Sequence, residues 1–302
     1  MFRTPELKQS ELPIFSLTTQ RPFQYYCIQG PSARHHGTLL CTMDGRRIAI
    51  INQKGGSGKT TTAVNLGACL AMRDRTVLLI DLDPQANTTI HLGYRPHEVR
   101  YSLYDVMMEE RGLREVILHT EVERLFLAPA NLDLSGAEIE LAGTVGREMV
   151  LKDAVESMEG DTSDPRRFDY IIIDCPPSLG LLTVNALTVA REIIIPVQTE
   201  FFALEGMGKL FQTVDIVRKR LNRDLAVTGI VPTMFDGRTN LAKEVMDKIR
   251  YYFNEKVYKT TIRKNVKLAE ATSHSKPIVL YDQRSAGAED YTALAKEVDE
   301  GE

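Results

Sequence analysis

The sequence has no apolar run approaching the ~18 consecutive residues of a membrane-spanning helix. Its first 42 residues contain no apolar stretch of the ~7–15 residues that form the centre of a secretory signal. Cysteine is scarce. The four residues, Cys27, Cys41, Cys69 and Cys175, include no C-x-x-C pair and no zinc-ligand spacing, which excludes a zinc module and fits a reducing cytosol. An excess of positive charge is also missing. With 37 Lys and Arg against 41 Asp and Glu the net charge is -4, so the chain as a whole is not a polybasic nucleic-acid binder. Any such contact must come from a local patch. Internal repeats are absent.

What is present is ordinary for a globular chain: 302 residues, 43% hydrophobic and 26% charged, enough for one α/β domain or two smaller ones. Residues 1–42, with Pro5, Pro13, Pro22 and Pro31, show no helical or strand period. They are expected to be a disordered extension or sequence upstream of a natural start at Met43, with a small interaction segment as the alternative. Residues 43–302 are expected to form a single domain. From Arg46 onward, apolar runs alternate with helix-period segments. The runs are 47-RIAIIN-52, 76-TVLLID-81, 124-RLFLAPA-130, 168-FDYIIID-174, 192-EIIIPVQ-198 and 225-LAVTGIVPT-233. Runs this apolar suit strands covered on both faces. Leu204, Met207, Leu210, Phe211, Val214, Val217 and Leu221 hold one face of a helix. The polar stretch 159-EGDTSDPRR-167 reads as a surface loop. The expected fold is a doubly wound, mostly parallel α/β sheet with helices on both faces, binding its ligand at the carboxyl ends of the strands.

The stretch 52-NQKGGSGKTTT-62 follows the first strand and opens a helix whose Ala63, Leu66, Gly67 and Leu70 face inward. It approximates the phosphate-binding pattern G-x-x-x-x-G-K-[ST] but has Gln53 at the first glycine position and a second lysine, Lys54, inside the loop. Gly55, Gly56 and Gly58 permit backbone amides around Ser57 to turn toward an anion, and the helix N-terminus adds its dipole. Lys59 is expected at the β- and γ-phosphates and Thr60 at Mg²⁺, with Thr61 beside it. Two acidic sites end strands: Asp81 and Asp83 in 81-DLDPQ-85, and Asp174 in 174-DCPPS-178. Carboxylates there hold magnesium and its waters. Asp174 is assigned to the Mg²⁺ shell and Asp83 to the attacking water at that metal site. Cys175 has no histidine partner nearby and reads as a small buried residue.

The pattern K-G-G-x-G-K-T-T resembles the deviant Walker A motif of the ParA/MinD group of P-loop ATPases. D-L-D-P-Q, I-I-I-D-C-P-P-S and P-V-Q-T-E-F-F-A-L-E-G are similar to the ParA branch, in particular its chromosomal Soj-type members. The likeness extends from about Arg46 to Val298. It implies a cytosolic, nucleoid-associated ATPase that uses ATP and Mg²⁺ and forms a face-to-face homodimer around two ATP molecules. Lys54 would cross to the partner's phosphates, where a cation offsets the repulsion of two phosphate clusters. The ATP-bound dimer would bind DNA without sequence preference, and a ParB-like partner would stimulate hydrolysis to segregate chromosomes or plasmids.

Composition offers a place for that DNA. Residues 238–267 hold nine lysines and arginines against three acids, a local charge of +6. The resemblance points to Arg238, Arg263, Lys264 and Lys267 as DNA contacts, and to Arg263 and Asn265 as base contacts. The chain departs from the family where I-P-R-N-V-R becomes 262-IRKNVK-267 and S-E-A-P-S-H-G-K-P becomes 269-AEATSHSKP-277, with Thr272 for proline and Ser275 for glycine. A MinD-like membrane ATPase would need a basic amphipathic C-terminal helix, whereas 289-EDYTALAKEVDEGE-302 is acidic. The guanine motif Asn-Lys-x-Asp of a GTPase is missing, as are cysteines placed to bridge an iron–sulfur cluster. The serious alternative is a ParA-like ATPase that positions a protein cluster or other cargo.

Overall fold

The computed structural model describes residues 45–164, 166–200 and 207–301. The expectations for residues 1–42, for Met43 and for Leu204 lie outside the described residues. Among these, the strands are β1 Arg46–Ile50, β2 Val77–Asp81, β3 Leu118–His119, β4 Leu125–Ala128, β5 Tyr170–Asp174, β6 Glu192–Gln198 and β7 Ala226–Thr233. The α-helices are α1 Lys59–Ala71, α2 Asn87–His91, α3 Leu103–Met107, α4 Leu113–Val116, α5 Leu134–Glu140, α6 Val150–Gly160, α7 Leu181–Val189, α8 Met207–Arg220, α9 Asn240–Phe253, α10 Val266–Ser273, α11 Ile278–Tyr281 and α12 Ala286–Glu300.

All six apolar runs become strands, most of them trimmed at one or both ends. They lie in the order β3-β4-β2-β5-β1-β6-β7, every pairing parallel except β3 against β4. Every residue of β2 and β5 is buried, as expected for strands covered on both faces. The chain leaves β1 toward β2 on one side and, from β5, crosses to β6 on the other. That reversal opens a crevice at the carboxyl end of β1. In the parallel register Asp81 pairs with Asp174, so the two strand-ending carboxyl groups sit side by side. A one-residue slip would turn either to the opposite face.

Helix α1 buries Ala63, Leu66, Gly67 and Leu70 as expected, and is buried nearly all round, because the sheet covers one side and α12 the other. Thr62 and Tyr291 hydrogen-bond across that second contact at 3.2 Å. The loop foreseen over 159–167 begins later, since α6 runs through Glu159 to Gly160. The acidic C-terminus also has internal partners. Arg73 and Arg75 pair with Asp299 at 3.3 and 2.9 Å, Tyr170 donates its hydroxyl to Asp299 at 2.9 Å, and Arg46 reaches the Val298 carbonyl. These contacts fix α12 over α1, and so back the helix that opens the site.

Candidate active site

The turn between β1 and α1 is built from glycine's conformational freedom and from contacts supplied by distant strands. Gly56 and Gly58 have φ of 71° and 91°, in the left-handed region where a Cβ is strained. Gly55 needs neither that conformation nor the space, since a Cβ there would meet nothing within 4 Å. Asn52 donates to the Pro196 carbonyl at 2.7 Å and accepts from the Lys54 amide at 2.9 Å. Gln198 donates to the Gly56 carbonyl at 2.7 Å and Thr233 to the Ser57 carbonyl at 2.9 Å. With the loop carbonyls held outward, its amides remain for a ligand. Helix α1 starts at Gly58 with no side-chain cap and no acidic residue in its first turn. Its first amides therefore lack an internal partner, an arrangement suited to an anion.

A cleft of about 790 Å³ extends from this turn. Its walls include Lys59, Thr60, Thr61, Asp83, Met234, Arg263, Asn265, Leu268 and Thr272. Burial lowers the Lys59 pKa, while Asp174 and Asp83 act against that shift. Thr60 donates its hydroxyl to Oδ2 of Asp174 at 2.7 Å. Burial raises the Asp174 pKa, opposed by the hydroxyls of Thr60 and Thr88. Its Oδ1 is buried and has no hydrogen-bond partner among the described residues. Orphaned oxygens of this kind are rare in proteins, and a carboxylate oxygen next to a threonine hydroxyl suits a hard cation or its water. The residues present therefore fit magnesium. Asp83 accepts from the Gln85 amide at 2.9 Å and faces the same cleft. Asp81, by contrast, is sealed from solvent and receives the Thr89 amide and hydroxyl at 2.8 and 2.7 Å. Burial raises its pKa, with the neighbouring Asp174 adding to the shift. Cys175 is fully buried, its thiol pushed well up by burial, as the sequence suggests for an inert residue.

Lys54 stands apart from these groups. It does not line the cleft, and its ammonium lies 3.1 Å from Glu200. Arg263 and Asn265 do line it, each with a structural role as well. Arg263 binds Asp290 and Glu289, and the Asn265 side-chain Oδ1 caps α10 by accepting from the Lys267 amide at 2.9 Å. The basic segment is less bare than its sequence window suggests. Arg238 forks onto Asp236 at 2.8 and 2.7 Å, and Lys267 pairs with Glu270 at 2.7 Å. Lys264 makes no ion pair among the described residues. Sequence reasoning missed Thr88, Gln198, Thr233 and His91. His91 is buried against the Lys276 carbonyl and near Thr272, with its pKa lowered to about 4 by burial. Its only signal was the unusual Thr272 across from it.

The comparisons agree with this geometry. A family model described as an AAA domain matches residues 45–227. The sporulation initiation inhibitor protein Soj of Bacillus subtilis is 53% identical over 254 residues, covering 84% of this chain and 98% of its own length. Chromosome partitioning protein ParA of Myxococcus xanthus is 46% identical over 274 residues, covering 90% and 95%. Among solved structures, a Mycobacterium smegmatis protein described as cobyrinic acid a,c-diamide synthase, with bound ADP and magnesium, is 35% identical with a TM-score of 0.74 over 85% of this chain and 97% of that one. The septum site-determining protein MinD of Pyrococcus horikoshii, with Mg-ADP, is 29% identical with a TM-score of 0.66 over 84% and 96%. The chain is an ATPase that uses ATP and magnesium, and it belongs to the ParA/Soj family of chromosome-partitioning ATPases.

Proposed function

We propose that the protein is a nucleotide-gated dimer whose ATP-bound form holds DNA and, with a ParB-like partner, segregates chromosomes or plasmids at the nucleoid of the cytoplasm. In this reading Lys59 and the loop amides of Gly55–Thr61 bind the phosphates of their own nucleotide. Thr60 and Asp174, with Asp83 nearby, hold Mg²⁺, which neutralises phosphate charge when bound. Asp83 orients the attacking water. Arg263 and Asn265 close on the nucleobase. The observation that carries the proposal is the position of Lys54. Its ammonium stays out of its own cleft and half in solvent, 38% exposed, against a carboxylate it can exchange for phosphate. A cation so placed is suited to the nucleotide of a second copy, and ATP then acts as the dimerising ligand of a two-state switch.

DNA contact is assigned to Arg238, Arg263, Lys264 and Lys267, giving salt-sensitive binding without sequence preference. The test compares DNA retention and dimer content with ATP, with ADP and without nucleotide, each with and without a candidate ParB-like protein. Retention only by the ATP-bound dimer, with turnover raised by the partner, is the expected result. Equal retention in all three nucleotide states would remove the switch.

A further inference from the structure

Helix α2 carries two wholly buried threonines in its first turn, Thr88 and Thr89, and each hydroxyl reaches a different strand-ending carboxyl group. Thr89 binds Asp81 through both amide and hydroxyl. Thr88 donates its hydroxyl to Oδ2 of Asp174 at 2.8 Å. The same oxygen takes the Thr60 hydroxyl at 2.7 Å, while Oδ1 has no partner among the described residues. We propose that Thr88 is a positioning residue for Asp174, fixing Oδ2 so that Oδ1 is kept for the metal and its water. This rests on the reading above that Asp174 and Thr60 hold Mg²⁺.

The two threonines that meet Oδ2 are not equivalent. Thr60 lines the cleft and is itself assigned to the ion, so its oxygen would serve the ion while its proton serves Asp174. Thr88 does not line the cleft, and its hydroxyl binds Asp174 alone among the described residues. Thr60 is thus tied to the ion as well as to the carboxylate, and Thr88 is the side chain that holds Oδ2 with no other partner to serve among the described residues. A buried carboxylate released at one oxygen can rotate, and the rotation spreads its lone pairs away from a fixed direction. Thr88 also shares one segment, 81–91, with Asp83, so the carboxylate that meets the metal is tied to the strand-to-helix turn that carries Asp83. Loading of the metal site is thereby linked to the placement of Asp83.

The experiment measures ADP affinity by calorimetry with and without Mg²⁺ for wild type, Thr88→Val, Thr88→Ser and Asp174→Asn. Thr88→Val keeps the shape and removes the hydroxyl. It should bind ADP normally without Mg²⁺, while its gain from Mg²⁺ falls roughly 10-fold, as for other outer-shell partners of metal ligands. Thr88→Ser should restore most of that gain. Thr88→Ala removes the same hydroxyl and carries the test if valine does not pack. If the hydroxyl-free variants gain as much from Mg²⁺ as wild type while Asp174→Asn does not, the role of Thr88 is overturned and the metal site stands. If Asp174→Asn also keeps the full gain, both assignments fall together.

Discussion

The ammonium of Lys54 and the carboxylate of Glu200 meet at 3.1 Å, although 146 residues separate them in the chain, and both remain open to solvent. A pair this exposed contributes about 0–1 kcal/mol and is screened by salt. It parks the lysine without committing it.

Lys54→Ala should therefore leave the monomer's melting temperature nearly unchanged while removing ATP-dependent dimerisation. Size-exclusion chromatography with ATP reads this directly. A full-size dimer from the variant would end the role assigned to Lys54 in a second copy's site.

Asp83→Ala should slow ATP turnover about 100-fold, the usual scale of a lost acid–base or water-positioning group. The ATP-bound dimer should persist, because the phosphate loop, Thr60 and Asp174 are unchanged. Single-turnover hydrolysis alongside sizing separates the two effects, and an unchanged rate would take Asp83 out of the chemistry.

Arg238 is neutralised locally by Asp236, so two opposite changes can be made at one place. Arg238→Glu should weaken DNA retention for every sequence and lower the salt dependence by roughly one phosphate contact. Asp236→Asn should strengthen it by freeing the guanidinium. If neither variant alters retention near ~100 mM salt, the DNA surface lies elsewhere.

Ser275 adopts φ of 54°, the left-handed backbone that glycine takes without strain. Ser275→Gly should stabilise the protein by about 1 kcal/mol, a rise of roughly 2–4 °C in melting temperature. A fall would mean that the Ser275 side chain makes up for its backbone.

Asp299 is pushed up by burial, but Arg75, Tyr170 and Arg73 outweigh this, and its pKa lies below the ordinary value of 3.8. A depressed carboxylate adds stability above its unfolded pKa and loses it as pH falls through the folded one. Asp299→Asn should cost about 1 kcal/mol or less at pH 7, since solvent screens the arginines. In urea unfolding the gap from wild type should close below about pH 4. An equal gap at pH 7 and pH 3 would show that packing, not charge, accounts for it.

Much of this molecule is local, and what is local is legible. The six parallel strands announce themselves because strands covered on both faces are apolar throughout. Strand β3 does not, since two residues carry no period. The phosphate turn is legible because left-handed backbone favours glycine and anions attract lysine. The props behind it are not. Gln198 and Thr233 reach the loop across 142 and 176 residues, and their meeting is a property of strand order. Charge counting along 238–267 leaves out partners for the same reason. Asp290 and Glu289 arrive from α12 to neutralise Arg263, and no sequence window contains both partners. Thr88 and Thr89 look like ordinary residues of a short helix until the register of β2 and β5 sets Asp81 beside Asp174.

Helix α1 begins at a glycine with no side-chain cap, at the centre of the domain. Among the described residues no side chain caps its opening amides, which suit the phosphates of a nucleotide. ATP is then a partner of this helix end as well as the fuel. Binding to the folded form alone raises stability by about 2.7 kcal/mol at a hundredfold excess over the dissociation constant. Nucleotide binding and stability are therefore linked, and the protein is best stored and handled with ADP and magnesium.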